Sequence, residues 1–219
     1  PQGVHEYSLR LPFDEVPLPL DLPAEVNKHE AHAYASWLSS ETNQQLRLPT
    51  EAEYHLMLEA NNECTLAKAR ENEAVDDVVT KGAKELAHTS LNANLAWGSP
   101  SSVYDGQAPF SGLRGNSWEY CEDWFAALPG YETHPLYEDF STPCFDGQHA
   151  LILGGSFAST GNEASVFSRF HFRPHFHNLL SFRVVAGEEN PELSSHDAAK
   201  PWAAGWVPPS YKKKFEEGS

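Results

Sequence analysis

The chain has 219 residues and carries 15 Lys and Arg against 31 Asp and Glu, a formal net charge of −16 at neutral pH. A domain of this size buries roughly 70% of the surface of its unfolded chain, so its core needs no disulfide or metal support. The negative charge repels nucleic-acid phosphates and anionic lipids, so we expect no nucleic-acid partner and regard membrane surfaces as poor candidates.

The three cysteines, Cys64, Cys121 and Cys144, are an odd set without CxxC spacing. This pattern indicates neither a disulfide framework nor a zinc motif, and it favours a reducing compartment such as the cytoplasm or an organelle interior. No apolar run approaches the roughly 20 residues of a membrane helix, so we expect a soluble protein without a membrane span. The sequence starts at Pro1 without a methionine, which indicates a processed or trimmed chain whose targeting segment is not visible.

The first predicted elements are an extended strap over residues 1–21, which is rich in proline near its end, and then two helices. Asn27 followed by Glu30 has the spacing of a capping box, and Ala33, Tyr34 and Trp37 recur at helical spacing. In the second helix Thr50 precedes Glu53 by three residues, and an apolar face is predicted for Ala52, Leu56 and Ala60.

The rest of the chain predicts little regular secondary structure. Residues 61–90 are acidic and alanine-rich, as expected of a surface insertion. Strand-like pieces follow at 150–153 and 182–185. The tail over 188–219 has four prolines but also Trp202, Trp206 and Tyr211, so it either folds back on its own domain or anchors another chain.

Three segments carry a family resemblance: RLPTEAEY at 47–54, GNSWEYCEDWF at 115–125 and GGSFASTGNEASVFSRFHFRPHFHNLLSFRVV at 154–185. Together they resemble the formylglycine-generating-enzyme-like (sulfatase-modifying-factor) family, and residues 140–165 are most similar to the ovothiol synthase (5-histidylcysteine sulfoxide synthase) type. The resemblance implies an α+β, C-type-lectin-like fold over residues 22–187, with two helices on small antiparallel sheets. The helical domain that holds iron in those synthases is not in this chain.

The resemblance also implies site residues. Tyr137 corresponds to a loop tyrosine that points toward the iron centre in the sulfur-transfer enzymes, where a neutral phenol can donate a proton. Tyr131 competes for this role, and Cys144 in the same loop either approaches substrate sulfur or is a small buried hydrophobe. Arg173, His175 and Phe176 are implied as substrate contacts, and a structural ion pair is the alternative for Arg173.

We expect this chain to hold no metal by itself. His171, His175 and His177 are interrupted by Arg173-Pro174, so they do not predict a self-contained site. The calcium-binding turn of the family is matched at Asn116, Ser117 and Glu119, but Gly112 replaces an upstream ligand, and we do not expect calcium. Ala158 and Ser159 stand where the formylglycine-generating oxidases have a copper-binding cysteine, which excludes sulfatase modification.

Two functions remain open from the sequence. The first is the lid and substrate domain of an ovothiol-synthase-type enzyme, an oxidoreductase that joins cysteine to histidine with Fe(II) from a separate helical domain. The second is a non-catalytic interaction subunit that docks into a larger assembly through its tail. A fold shared with a family does not decide between them.

Overall fold

A computed structural model of the chain describes residues 7–61, 92–93, 95–96, 98–105, 109–128, 131–136, 140–160 and 163–188. Within these ranges the chain forms two α-helices, eight short strands and one 3₁₀ turn. In chain order they are β1 Ser8–Arg10, β2 Glu15–Pro17, α1 Lys28–Thr42, β3 Leu46–Arg47, α2 Glu51–Ala60, β4 Trp118–Trp124, the turn Thr142–Cys144, β5 Ala150–Leu153, β6 Arg169–Phe172, β7 Leu180–Ser181 and β8 Val185–Ala186.

Both predicted capping boxes are confirmed. The Asn27 side chain accepts a hydrogen bond from the backbone of Glu30, and the Glu30 carboxylate accepts one from the backbone of Asn27. Thr50 and Glu53 make the same reciprocal pair at the start of α2. These bonds satisfy backbone donors that no helical carbonyl can reach, which fixes where each helix begins.

The buried faces of the helices differ from the predicted ones. In α1 the buried apolar residues are Ala31 and Ala35, whereas Tyr34 and Trp37 are 45% and 54% exposed. Two alanines let the helix pack closely, and the larger aromatic rings lie outside.

Helix α2 shows the same kind of correction. Its predicted face of Ala52, Leu56 and Ala60 is not the buried one, since Leu56 is 51% exposed. Tyr54 and Leu58, four residues apart, are buried instead. The larger side chains of Tyr54 and Leu58 therefore determine which face of α2 packs against the sheet.

The largest sheet has four strands in the order β6-β5-β4-β7. Its β6–β5 and β5–β4 pairs are antiparallel, but β7 lies parallel to β4. This sheet is therefore mixed, whereas the resemblance implied antiparallel sheets. Two further two-stranded antiparallel sheets join β1 to β2 and β3 to β8. The predicted strap thus contains a small β-hairpin.

The predicted strand at 150–153 is confirmed as β5. The one predicted at 182–185 is wrong over most of its length, because the chain changes sheets there. Leu180 and Ser181 pair with β4, and Val185 and Ala186 pair with β3. The residues between them belong to neither strand and connect the two sheets.

The two faces of the central sheet pack against different helices. Leu151 and Leu153 share one buried cluster with Tyr54 and Leu58 of α2. Ala150 and Ile152 share the other with Ala31 of α1. Alternate residues of a strand point to opposite faces, so β5, buried on both sides, is the centre of the core.

The arrangement is an α+β, C-type-lectin-like fold, as the resemblance implied. Neither described helix has the length and hydrophobicity that crossing a bilayer requires. The insertion predicted at 61–90 lies outside the described residues except for its first position, and the tail lies outside them except for residue 188.

Candidate functional site

The turn that follows β6 carries the three predicted substrate-contact residues. The backbone N–H of Phe176 donates to the carbonyl of Arg173 at 3.0 Å, which closes the turn. The backbone N–H of Lys28 donates to the carbonyl of Pro174 at 2.9 Å. The hydroxyl of buried Tyr120 donates to the carbonyl of Phe176 at 3.1 Å. Helix α1 and strand β4 therefore hold this turn in place, although its side chains face outward.

Arg173 forms an ion pair, which was the alternative to a substrate contact that the sequence left open. Its guanidinium donates to the side-chain oxygen of Gln148 at 2.9 Å and lies 3.2 Å from the Asp146 carboxylate. The side chain is 39% exposed. A guanidinium has five N–H donors, so these two contacts leave capacity for a further anion.

The other two residues of the turn are exposed. The His175 ring lies 5.1 Å from the ring of Phe176, and Phe176 stacks on Phe172 at 5.6 Å. Phe176 is 45% exposed. The structure thus brings Arg173, His175 and Phe176 together in one turn and leaves their role as substrate contacts a prediction.

Of the two tyrosines considered for catalysis, Tyr137 lies outside the described residues. Tyr131 is half-buried, and its ring meets Phe145 edge-on at a centroid distance of 5.5 Å. Phe145 belongs to the core cluster around α2. Tyr131 therefore packs against the core.

The histidines of the β6 region do not form one cluster. His171 lies on β6 and is half-buried, whereas His175 and His177 are exposed beyond the turn. His177 lies 3.1 Å from the Asn27 amide and 3.6 Å from the Glu30 carboxylate. These three side chains therefore have different neighbours, and the absence of a metal from them stays a prediction.

His171 instead meets two residues that the sequence did not connect with it. One potential ligand atom each from Cys144, His149 and His171 lies within 4.8 Å of the other two. The His149 ring meets the His171 ring edge-on at 5.0 Å, and Nδ1 of His149 lies 2.9 Å from the Asp146 carboxylate. Asp146 therefore touches both this cluster and Arg173.

Burial sets the protonation of this region. Burial and the neighbouring His149 lower the pKa of His171 to about 4, so its ring is neutral near pH 7. Burial and the charge of Asp146 raise the pKa of the Cys144 thiol. Burial also raises the pKa of Asp146, but hydrogen bonds from His149 and the backbone of Gln148 outweigh it, and the net pKa is lowered.

The region where a copper-binding cysteine would be needed is a tight turn. The backbone N–H of Ser156 donates to Oγ of Ser159 at 2.9 Å, and the N–H of Ser159 donates to the carbonyl of Ser156 at 3.0 Å. Ser159 is buried, and neither it nor Ala158 offers a thiol. These residues do not fit a copper thiolate site.

The side-chain oxygen atoms of the calcium-like turn make hydrogen bonds within the protein. Both carboxylate oxygens of Glu119 accept hydrogen bonds from Arg183. The amide oxygen of Asn116 accepts from the backbone of Ser101 at 2.6 Å, and Ser117 Oγ donates to the carbonyl of Leu179 at 3.0 Å. A cation would have to displace Arg183, and the absence of calcium stays a prediction.

A three-histidine iron centre is not formed by the described part of the chain. The convergent set of potential ligands found there contains two histidines and a thiol. The described residues therefore do not fit the iron site that the resemblance places in a separate domain.

Comparison with known proteins agrees with this fold. A family model described as a sulfatase-modifying factor enzyme 1-like domain matches residues 19–187. Hercynine oxygenase of Mycobacterium tuberculosis is 28% identical over 146 residues, which are 64% of this chain but 31% of that protein. The chain thus spans about a third of that relative's length.

Solved structures show the same fold at low sequence identity. Treponema denticola variable protein 1 superposes with a TM-score of 0.54 and 20% identity, covering 75% of this chain and 70% of that one. PvdO from Pseudomonas aeruginosa gives a TM-score of 0.50 and 18% identity, covering 80% and 64%. Since the family match extends over most of the sequence, this chain belongs to the formylglycine-generating-enzyme-like (sulfatase-modifying-factor) family.

Proposed function

We propose that this chain is the lectin-like lid and substrate domain of an ovothiol-synthase-type non-haem iron enzyme that joins cysteine to histidine by a carbon–sulfur bond. The observation that carries the proposal is the fixed turn Arg173–Phe176, which carries a guanidinium, an imidazole and a phenyl ring. Similarity to hercynine oxygenase supports it, because that relative is an oxygenase.

The turn suits recognition of an amino acid. Its backbone is held by Lys28 and Tyr120, so little conformational entropy is lost when a ligand binds. A guanidinium can pair bidentately with a carboxylate, and an exposed phenyl ring can cover an imidazole. Asp146 and Gln148 keep Arg173 in place while part of its side chain is open to solvent.

Iron belongs to the partner domain in this proposal, and this chain contributes binding and proton donation. The proposed donor is Tyr137, whose phenol is neutral near pH 7. A positioned acid typically contributes about 10²- to 10⁴-fold to a rate. The partners are therefore an iron-binding helical domain and a small amino-acid substrate.

The first test joins this chain to an iron-bearing helical domain of the synthase type and measures formation of the cysteine–histidine sulfoxide by mass spectrometry. We expect Arg173→Gln to raise KM for one amino acid by about 10- to 100-fold, as expected for losing a hydrogen bond to a charged group. Arg10→Gln, at an exposed position of the β1–β2 hairpin, is the matched control and should leave KM and kcat unchanged. An unchanged KM in Arg173→Gln would remove Arg173 from the substrate site.

The second test concerns Tyr137. In the same reconstituted enzyme, Tyr137→Phe should slow or redirect sulfoxide formation and leave iron binding intact, because only the hydroxyl is lost. Tyr131→Phe is the control, since the Tyr131 ring packs against Phe145. If Tyr131→Phe lowers kcat and Tyr137→Phe does not, the proton donor is Tyr131 and the assignment to Tyr137 is wrong.

The alternative function is a non-catalytic interaction subunit derived from this family. The aromatic surface of α1 favours it, because the exposed rings of Tyr34 and Trp37 lie 5.4 Å apart and Tyr34 also meets Phe182 at 5.5 Å. The complete reading frame distinguishes the two. An upstream helical segment with an HxxxExH-type histidine set supports the enzyme, and a frame with only a targeting segment supports the subunit.

A further inference from the structure

Three side chains with metal-binding atoms meet beside the central sheet. Antiparallel pairing of β5 with β6 places Leu151 opposite His171, and His149 lies just before β5. Cys144 ends the 3₁₀ turn Thr142–Cys144, five residues before His149. The thiol and one nitrogen of each ring lie within 4.8 Å of one another.

Neighbouring residues hold the two histidine rings in orientations that suit metal binding. Because Nδ1 of His149 lies 2.9 Å from the Asp146 carboxylate, its Nε2 is the nitrogen left to bind a ligand. At zinc sites a histidine ligand usually donates its other N–H to a carboxylate, which fixes the orientation of the ring. The ring of Phe125 packs on His171 at a centroid distance of 4.4 Å and fixes it from another side.

One buried atom of this cluster lacks a hydrogen-bond partner. Nδ1 of His171 is buried and has no hydrogen-bond partner in the described structure. A buried polar atom without a partner costs about 1–3 kcal/mol, so native proteins seldom keep one. The Cys144 thiol has a weak contact, at 3.6 Å from the carbonyl of Phe140.

We propose that Cys144, His149 and His171 bind a divalent transition metal, with Zn(II) as the ion the ligands fit best and a fourth position left open. Two imidazoles and one thiolate are borderline-soft ligands of the kind zinc selects. Tetrahedral geometry with bonds of about 2.0–2.3 Å needs ligand atoms about 3.4–3.6 Å apart. The three ligand atoms lie within 4.8 Å of one another, so metal binding requires side-chain shifts on the order of 1 Å.

This site is separate from the iron of the proposed function. Fe(II) lies below Co(II) and Zn(II) in the usual affinity order, so a weak affinity of this chain for Fe(II) is compatible with a zinc site. The sequence does not indicate this site, because its neighbouring histidines are His171, His175 and His177, whereas His149 is brought to His171 by the fold.

The experiment uses the 219-residue chain, purified without a polyhistidine tag and freed of metal. Co(II) is titrated first, because a cobalt–thiolate bond gives a charge-transfer absorption and tetrahedral Co(II) gives intense visible bands. We expect one Co(II) per chain, both signals, and displacement by Zn(II). Zinc should also raise the melting temperature, since it binds the folded state.

Variants then assign the ligands. Cys144→Ser should abolish the charge-transfer band, and His149→Gln and His171→Gln should each weaken binding by more than about 100-fold. Asp146→Asn should keep the band and weaken binding by about 10- to 100-fold, as expected for an outer partner of a ligand. His175→Gln is the matched control, because His175 is exposed on the same segment and should not change the titration.

X-ray absorption of the zinc-loaded wild-type chain decides the ligand set even if a variant fails to fold. One sulfur and two nitrogens in the first shell support the proposal. A first shell without sulfur, a cobalt band that survives in folded Cys144→Ser, or no stoichiometric binding overturns it. Turnover is not needed, so the result is independent of the lid function.

Discussion

At the scale of single residues, Gly154 shows how closely the backbone packs in this fold. Its φ is +95°, and a Cβ there would lie 2.4 Å from the carbonyl oxygen of Leu113 and 2.6 Å from the hydroxyl oxygen of Tyr54. The Tyr54 hydroxyl also donates a hydrogen bond to this Leu113 carbonyl. A side chain at position 154 would therefore disturb both the turn and a buried hydrogen bond.

We predict that Gly154→Ala lowers the free energy of unfolding by more than about 2 kcal/mol, because left-handed strain of about 1–2 kcal/mol adds to an overpacking cost of about 1–3 kcal/mol. Gly187→Ala is the control, since its φ of +109° is comparable but nothing lies within 4 Å of its Cβ position. Urea unfolding compares the two variants. Equal losses would mean that the backbone relieves the contact at 154.

The Arg47–Glu53 pair gives a prediction for pH. The hydrogen bond from Arg47 is the largest influence on Glu53 and lowers its pKa below the usual 4.5. The charged form therefore stabilises the fold above about pH 4.5, and this contribution is lost as the pH falls through the folded-state pKa.

Glu53→Gln removes the charge and keeps an acceptor for the capping box, so it isolates the ionic contribution. We expect the variant to be less stable near neutral pH by about 0.5–1 kcal/mol, with the difference disappearing in acid below the folded-state pKa of Glu53. Unfolding curves of both proteins at a series of pH values measure it. A constant difference across the range would show that the charge is not its cause.

At the scale of elements, a buried ion pair joins α2 to β6. Arg169 donates to both carboxylate oxygens of Glu51, at 2.6 and 3.0 Å. Glu51 is 4% exposed, and Arg169 also donates to the carbonyl of Ala126 at 3.0 Å. The pair thus holds the start of the helix against the strand that leads to the candidate site.

We predict that Arg169→Met destabilises the domain by about 3–5 kcal/mol, because it leaves a buried carboxylate without its partner. The double variant Arg169→Met with Glu51→Gln should lose less than the sum of the single changes. A thermal and chemical unfolding cycle on the four proteins measures the coupling. Additive losses would show that the two side chains act independently.

The sequence predicted the starts of both helices because a capping box is local. Asn27 with Glu30 and Thr50 with Glu53 lie three residues apart, and their hydrogen bonds do not depend on the rest of the fold. The buried faces were not predictable in this way, because they depend on which side meets the sheet. Strand β4 was not predicted as a strand, although its Tyr120 is fully buried.

The candidate site also has parts that depend on local sequence and parts that depend on strand pairing. Arg173, His175 and Phe176 are close in sequence and share one turn, so the resemblance could place them together. Asp146 meets Arg173 only because β5 pairs with β6. The Cys144–His149–His171 cluster also depends on that pairing, and no spacing in the chain indicates it.

At the scale of the whole molecule, membership of the family does not imply its best-known reaction. Ala158 and Ser159, which follow the GGSF segment, lie in the tight turn closed by Ser156 and Ser159. The two described cysteines are a fully buried Cys121 and a half-buried Cys144. Burial of Cys121 raises the pKa of its thiol well above the usual value, which lowers its reactivity.

We therefore predict that the chain leaves the cysteine of a sulfatase-motif peptide unchanged in the presence of copper and oxygen. Mass spectrometry of the peptide detects any aldehyde product. A formylglycine-generating enzyme assayed in parallel controls for the conditions. Aldehyde formation by this chain above the copper-only background would falsify the prediction.

The pairing of β3 with β8 has a consequence for the order in which the protein is made. Leu46 and Arg47, which lie between the two helices in the sequence, pair with Ala186 and Val185 of the last described strand. The N–H of Gly187 donates to the carbonyl of Gln45 at 2.9 Å. On the ribosome, α1 and α2 emerge long before β5, which separates them in the finished core. We infer that the domain cannot complete its fold until residue 187 has left the exit tunnel. Until then the core-facing sides of α1 and α2 stay exposed in the nascent chain.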